Sequence, residues 1–215
     1  MSGLRPGLGL WLWIGAAVLV LTACAPFRPA PPAAPRMSEE SGAALRCVDQ
    51  WALQGRMAFR SPEQSGSARL SWQQREEHYR LSVDGPLGMG GMRIEGDDTQ
   101  VQVESRGERR LYRSAPEAVL AAALGYELPV RALRYWVLGL SDPQGGRAVW
   151  GVAPSAAVPS LQQAGWTVRY EAREAHVAEV PLPTRLTLDR GDLSLRLLVE
   201  HWEVDPARLC PATLP

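Results

Sequence analysis

The feature that most constrains the fold is a period-two alternation of apolar and polar residues that begins near residue 51. In an extended chain, this alternation places successive side chains on opposite faces. In the segment WALQGRMAF the apolar face is formed by Trp51, Leu53, Met57 and Phe59. The segments SARLSWQQ, HYRLSV, MRIEG and TQVQVES continue the pattern, with Gly, Asp and Pro residues between them. The alternation predicts an antiparallel meander with one apolar face.

Two short helices are predicted in the middle of the chain. Ser114 can cap a helix that starts near Pro116. The segment PVRALRYWVLG has Val130, Leu133, Trp136 and Val137 at helical spacing, and Gly139 ends the run. Strand-like segments resume in GWTVRY, TRLTLDRG and LSLRLLVEHW. This order predicts a mainly β (α+β) fold, namely a curved antiparallel sheet with the short helices across one side.

Helices on one face of such a sheet cover either a hydrophobic cavity or a packed core, and periodicity alone leaves both open. The residues expected to line a cavity are Leu70, Trp72, Tyr79, Leu81, Val83, Ile94, Leu195 and Leu197. The residues expected on the lid are Leu120, Leu124, Leu133, Trp136 and Val137.

The N-terminus has the features of a secretory signal peptide over residues 1–23. One early charge, Arg5, precedes an apolar run that is shorter than the roughly 20 residues of a good membrane span. Residues 21–24, LTAC, resemble a bacterial lipobox, so we expect Cys24 to carry lipid and to begin the mature chain. An ordinary signal peptide with a chance cysteine is the alternative. Ala25, in place of aspartate, points to the outer membrane.

The rest of the chain divides into a tether and one domain. Residues 24–36 are rich in proline and lack periodicity, so they are expected to hold the domain away from the membrane as a polyproline-like spacer. Residues 37–210 are long enough for a single domain with a sizeable core, followed by a tail at 211–215.

Cys47 and Cys210 lie near the two ends of the predicted domain. An oxidising periplasm permits a disulfide between them. Such a bond forms only if the termini meet, since bridged Cα atoms lie within about 7 Å. A disulfide and two free thiols therefore both remain open.

The segment GPLGMGGM at 85–92 combines glycine and proline with large apolar residues. Its composition predicts a turn or an exposed loop, although its apolar side chains could instead fold back onto the core. The residues singled out as an exposed apolar loop are Pro86, Leu87, Gly88 and Met89.

Motifs for catalysis are absent from the sequence. It contains no H-E-x-x-H, C-x-x-C or G-x-S-x-G motif, and no phosphate-binding glycine loop. His201 beside Trp202 is expected to be a strand residue. The formal net charge is zero and no basic cluster is present, which argues against nucleic-acid binding. An enzyme is possible, but nothing in these motifs demands one, and we expect no metal site.

A resemblance extends over the ordered set GRMAF, ARLSWQQ, YRLSVDGPLG, LPVRALRYWVLGL, QAGWTVRY and LPTRLTL. Together with the lipobox, this set resembles the LolB family of outer-membrane lipoprotein receptors, from about Arg46 to Trp202. The resemblance implies an open antiparallel β-barrel with the helices as a lid over a hydrophobic cavity for acyl chains. It further implies transfer of lipoproteins from the periplasmic carrier LolA to the outer membrane, with no cofactor and no bond-making step, so we expect no enzyme activity. It also implies that Leu87, in its Pro-Leu-Gly context, touches the target bilayer.

The expected partners are LolA, acylated lipoprotein cargo and outer-membrane lipid, and the protein is expected to be a monomer. Cys47, Cys210 and the C-terminal tail depart from the family pattern. A structural or assembly lipoprotein that binds a protein partner without lipid is the main alternative. A lipid-anchored enzyme is the third.

Overall fold

The computed structural model describes residues 39–85, 91–124, 127–153 and 157–211. The helices are α1 (Glu39–Leu45), α2 (Pro116–Leu124), α3 (Val130–Trp136) and a 3-10 helix (Pro206–Arg208). The strands are β1 (Gln50–Arg60), β2 (Ser65–Arg75), β3 (His78–Asp84), β4 (Met92–Gly96), β5 (Val101–Ser105), β6 (Glu108–Tyr112), β7 (Val149–Ala153), β8 (Val158–Gln163), β9 (Trp166–Ala172), β10 (Ala175–Val177), β11 (Val180–Leu182), β12 (Arg185–Arg190) and β13 (Leu193–Val204).

Eleven strands form one sheet in the order β6-β5-β4-β3-β2-β1-β13-β12-β9-β8-β7, and β10 and β11 form a separate hairpin. Every pairing is antiparallel. Strand β13 pairs with β1 and thereby joins the N-terminal meander to the C-terminal strands. Strands β6 and β7 lie at the two edges, so the sheet is open. The predicted fold class is confirmed.

The alternation in the sequence corresponds to the burial of side chains. In β1, Trp51 and Leu53 are buried, whereas Gln54 and Arg56 are exposed. Strands β6, β7, β8, β10 and β11 were not predicted. The pattern gives no signal in β6, because all of its residues are exposed, and almost none in β7, where only Ala153 is buried.

Helix α3 is shorter than the helical spacing predicted. It ends at Trp136, and residues 137–139 form a turn in which Gly139 has φ of +81°. The N–H of Leu140 then donates to the carbonyl of Tyr135 at 3.0 Å. Glycine adopts this left-handed conformation at little cost, so it terminates the helix and reverses the chain.

The join between β1 and β13 needs a glycine. The register of this pair shifts between Gln54 and Gly55, and a Cβ at position 55 would overlap the carbonyl oxygen of Leu198. Only a residue without a side chain allows the two strands to approach at this bulge.

The two ends of the domain meet at a disulfide between Cys47 and Cys210, whose Cα atoms lie 5.0 Å apart. The N–H of Cys210 donates to the carbonyl of Ala44 at 2.9 Å. Nearby, the Arg208 guanidinium donates to the Asp49 carboxylate at 2.9 Å. The C-terminal segment is therefore fixed against the start of the domain by covalent and polar contacts.

Candidate functional site

The predicted cavity residues of β2, β3 and β4 project from one face of the sheet. The register pairs Leu70 with Val83 and Trp72 with Leu81, and Leu81 also pairs with Ile94 across the next strand. Residues directly opposite each other in antiparallel strands have their side chains on the same side. These pairs therefore form apolar rows that run across the three strands.

The rows continue through β1 into the C-terminal half of the sheet. Met57 pairs with Leu197, and Phe59 pairs with Leu195. Tyr79 lies two residues before Leu81 and so projects from the same face. All the predicted cavity residues thus share one face, which we call the apolar face.

Burial on the apolar face falls toward the segment that links β3 to β4. Along β1 the side chains change from buried at Trp51 to half-buried at Phe59, and along β3 from buried at Tyr79 to half-buried at Val83. Met92, which pairs with Val83 at the start of β4, is also half-buried. Along β1, β3 and β4, the side chains of the apolar face are therefore less buried at Phe59, Val83 and Met92 than at Trp51 and Tyr79.

Helix α3 covers part of the apolar face. Trp136 is fully buried, and its ring lies 6.3 Å from the ring of Trp166 on β9. The hydroxyl of Tyr170 donates to the carbonyl of Trp136 at 3.1 Å. Of the predicted lid residues, Val137 is also buried and Leu133 is half-buried against the core. The helix is thus held by both apolar and polar contacts.

A buried amide network, which sequence reasoning missed, fixes the C-terminal end of α3. The Gln163 side-chain oxygen accepts from the Trp136 indole N–H and from the Asp142 backbone N–H, both at 2.9 Å. The Gln163 amide nitrogen donates to the carbonyls of Asp142 at 2.7 Å and Gly146 at 3.2 Å. One glutamine therefore satisfies four polar groups and ties α3 and its following loop to β8.

Tyr79 combines burial with an unused polar atom. Its hydroxyl is buried and has no hydrogen-bond partner among the residues that the structure describes. Burial raises the pKa of Tyr79 well above its ordinary value, and the nearby carboxylate of Glu117 adds to the effect. The phenol is therefore neutral, as suits a residue on an apolar face.

A surface hollow of about 660 Å³ lies mainly among polar side chains of β2 to β6, including Gln73, Arg80 and Glu95. Arg80 donates to Glu95 at 2.8 Å, and this hydrogen bond is the main reason that the pKa of Glu95 is lowered. A hollow lined by charges that already pair with each other does not fit the predicted apolar cavity.

Several predicted site residues lie outside the part of the chain that the structure describes. They are Cys24, the loop residues Pro86, Leu87, Gly88 and Met89, and the side chains of Leu120 and Leu124. The described strands on either side of the loop are β3, which ends at Asp84, and β4, which begins at Met92.

The part of the chain that the structure describes was also considered for metal-binding groups and membrane-spanning helices. No group of three or more His, Cys, Asp or Glu side chains in this part of the chain could hold a metal ion. None of its helices is long and apolar enough to cross a membrane.

Comparison with known proteins gives consistent matches. Residues 49–202 match the family model for outer membrane lipoprotein LolB. The outer-membrane lipoprotein LolB of Alkalilimnicola ehrlichii is 37% identical over 92% of this chain and 98% of its own length. That of Stutzerimonas stutzeri is 36% identical over 73% of this chain and 75% of its own.

Among solved structures, a DUF1329 family protein from Desulfovibrio piger is similar in fold. Its TM-score is 0.50 at 8% sequence identity, over 79% of this chain and 93% of that protein. At this identity the likeness concerns the fold alone.

Proposed function

Because this chain belongs to the LolB family of outer-membrane lipoproteins, we propose that it accepts acylated lipoproteins from the periplasmic carrier LolA and inserts them into the outer membrane. Cys24 carries the lipid anchor, and residues 24–36 hold the domain at the periplasmic face. The protein acts by binding and release, without forming or breaking covalent bonds.

The observation that carries this proposal is the continuous apolar face that is less covered at one end. A carrier of acyl chains must shelter a large apolar area, because each buried CH₂ contributes about 0.8 kcal/mol. A sixteen-carbon chain is then held by roughly 12 kcal/mol, so cargo crosses water only on an apolar surface. Leu81, Val83 and Met92 are half-buried and already arranged for such contact.

The loop at 86–90 supports the second half of the proposal, delivery to the bilayer. Leu87 lies in a Pro-Leu-Gly context in the sequence between β3, which ends at Asp84, and β4, which begins at Met92. An apolar side chain on an exposed loop is stabilised when it enters lipid. We therefore assign to Leu87 the contact with the target membrane.

Lipoprotein transfer from the carrier to liposomes tests this role of Leu87. Leu87→Glu is expected to accept cargo but to deliver it at least tenfold more slowly, because a charge enters lipid poorly. Leu111→Glu is the matched control, since Leu111 is an exposed leucine on β6, away from the apolar face. Equal delivery by both variants would remove Leu87 from the mechanism.

Binding of acylated peptide tests the apolar face itself. Leu81→Glu is expected to weaken binding about tenfold or more, because it places a carboxylate among the acyl chains. Ser82→Glu is the control on the opposite face of the same strand, where its register partner is Arg93. If folded wild-type protein binds no acylated peptide, the alternative of a lipoprotein that binds only a protein partner takes precedence.

A further inference from the structure

Arg173 is a charged residue beside the apolar face. It follows the last residue of β9, and its guanidinium carbon lies 5.0 Å from the ring centre of Tyr170. Tyr170 pairs with Leu186, which pairs with Leu197, so its ring belongs to the apolar face. The ring of Trp150 also stacks on Tyr170, at 5.8 Å.

The Arg173 guanidinium has donors that nothing in the described chain uses. Its Nε and Nη2 atoms are buried and find no hydrogen-bond acceptor among the described residues. Burial lowers the pKa of Arg173. The carboxylate of Glu171, two residues earlier in the chain, accepts from the Thr187 hydroxyl at 2.7 Å.

An unpaired buried guanidinium is a costly arrangement for a purely structural residue. Arginine stays charged, and a buried donor without a partner costs stability. Several arginines of the described chain do form ion pairs, among them Arg80 with Glu95 at 2.8 Å and Arg208 with Asp49 at 2.9 Å. Arg173 instead presents free donors next to apolar and aromatic side chains, an arrangement that suits a ligand bearing acceptor oxygens beside apolar groups.

The surroundings of Arg173 define what that ligand must be. Trp150 and Val152 on the edge strand β7 are 43% and 47% exposed. Both lie on the apolar face, because Trp150 pairs with Leu161, which in turn pairs with Val168, two residues before Tyr170. A ligand bound here would contact the exposed apolar side chains of β7 and the guanidinium N–H groups of Arg173 together.

We propose that the Arg173 guanidinium binds the ester carbonyl oxygens of a diacylglycerol group, while the acyl chains of that group lie on the adjacent apolar face. This inference rests on the proposed function and deepens it, since it names the polar part of the ligand. Two lipids supply this chemistry, the diacylglyceryl cysteine of a lipoprotein and a membrane phospholipid.

The test compares ester-linked with ether-linked ligands, because the ether lacks the carbonyl oxygen but keeps the chains. The full chain with Cys24→Ala is titrated with a dipalmitoyl-glyceryl cysteinyl peptide and with its dihexadecyl ether counterpart. The wild-type site is expected to prefer the ester about tenfold, the size of one hydrogen bond to a charged group. Arg173→Gln is expected to bind both ligands equally.

Arg185→Gln is the matched control, because Arg185 is exposed and pairs with Ala172, the residue that precedes Arg173. It is expected to keep the ester preference. A parallel titration compares dihexanoyl phosphatidylcholine, an ester, with its dihexyl ether counterpart. It shows whether the site binds lipoprotein cargo or membrane phospholipid. Preference with the peptide pair alone assigns the site to cargo, and preference with the phospholipid pair alone assigns it to membrane lipid.

The outcomes separate the two proposals. If wild-type protein binds ester and ether equally, or if Arg173→Gln keeps the preference, the role of Arg173 is refuted while acyl binding stands. If neither ligand binds, acyl binding itself is refuted. Thermal unfolding without ligand gives a second readout: Arg173→Gln should not lower the Tm, because it removes an unpaired buried charge. A clear loss of Tm, together with equal weakening of both ligands, would make Arg173 a structural residue.

Discussion

Replacing Gln163 with leucine tests whether the amide network holds α3 on the sheet. The substitution removes four hydrogen bonds and leaves the Trp136 indole N–H and the Asp142 backbone N–H without their acceptor. Each buried polar group left unsatisfied costs about 1–3 kcal/mol, partly offset by the apolar side chain that replaces the amide. We expect the free energy of unfolding to fall by about 3–5 kcal/mol.

Guanidinium chloride unfolding of folded, purified variants measures this loss. The adjacent Gln162 provides the control, because it is exposed and projects from the opposite face of β8. Gln162→Leu makes the same chemical change and should shift stability by about 0.5 kcal/mol at most. A loss below roughly 1 kcal/mol for Gln163→Leu would mean that the network does not stabilise the fold.

A double-mutant cycle separates the contact between Gln163 and Trp136 from general damage to the core. Trp136→Phe removes the indole donor, while the Gln163 oxygen still accepts from Asp142. The single change should cost about 1–2 kcal/mol, and it should cost less when Gln163 is already leucine. Strictly additive losses would show that the two side chains do not interact.

Two further predictions concern stability. The Cys47–Cys210 disulfide spans 163 residues, so loop-closure entropy lets it contribute up to about 5 kcal/mol to the free energy of unfolding. The Cys47→Ser/Cys210→Ser variant should lose much of this contribution in denaturant unfolding. Unchanged stability would show that the bond adds none. Asp97 accepts hydrogen bonds from the Thr99 hydroxyl and N–H at 2.6 and 2.7 Å, which lower its pKa. The stability that Asp97 contributes is therefore present above the unfolded-state pKa, near 3.9, and is lost as pH falls below it. In Thr99→Ala the free energy of unfolding should fall less steeply as the pH is lowered, whereas Thr99→Ser should keep the wild-type dependence. Identical pH profiles for the two variants would show that the Thr99 hydroxyl does not lower the pKa of Asp97.

The sequence predicted the strands correctly where one face of the strand is buried and the other is exposed to solvent. The apolar alternation in β1 and β3 predicted both the strands and the face from which Trp51 and Leu81 project. It failed at the edges, because β6 and β7 expose nearly all their residues and so carry little pattern. Burial, and not strand formation itself, is what the period-two signal reports.

The polar parts of the candidate site could not be predicted for a different reason. The register of β8 and the fold of the chain after α3 bring Gln163 to Trp136 and Asp142. The position of Arg173 after β9 brings its guanidinium to the ring of Tyr170. Nothing in the local sequence marks a buried glutamine or an unpaired arginine, since both residue types are ordinarily exposed. Their roles become visible only when burial and hydrogen-bond partners are known together.

The two edges of the sheet differ in a way that agrees with a lipid site at β7. Edge strands are commonly protected from pairing with other chains by charged side chains. Strand β6 follows this rule with the ion pairs Arg109–Glu104 and Arg110–Glu108. Strand β7 does not, because it carries no charged residue and its exposed residues include Val149, Trp150 and Val152.

Such an apolar edge exposes the chain to unwanted pairing, so it is expected where a ligand or membrane covers it. The exposed ring of Trp150 stacks on Tyr170, over which the Arg173 guanidinium also lies. An acyl chain on this edge, with its ester oxygens at Arg173, would cover the apolar residues and pair the buried donors at the same time. One ligand would thus account for two features, an uncharged edge and unpaired guanidinium donors, for which contacts among the described residues give no structural reason.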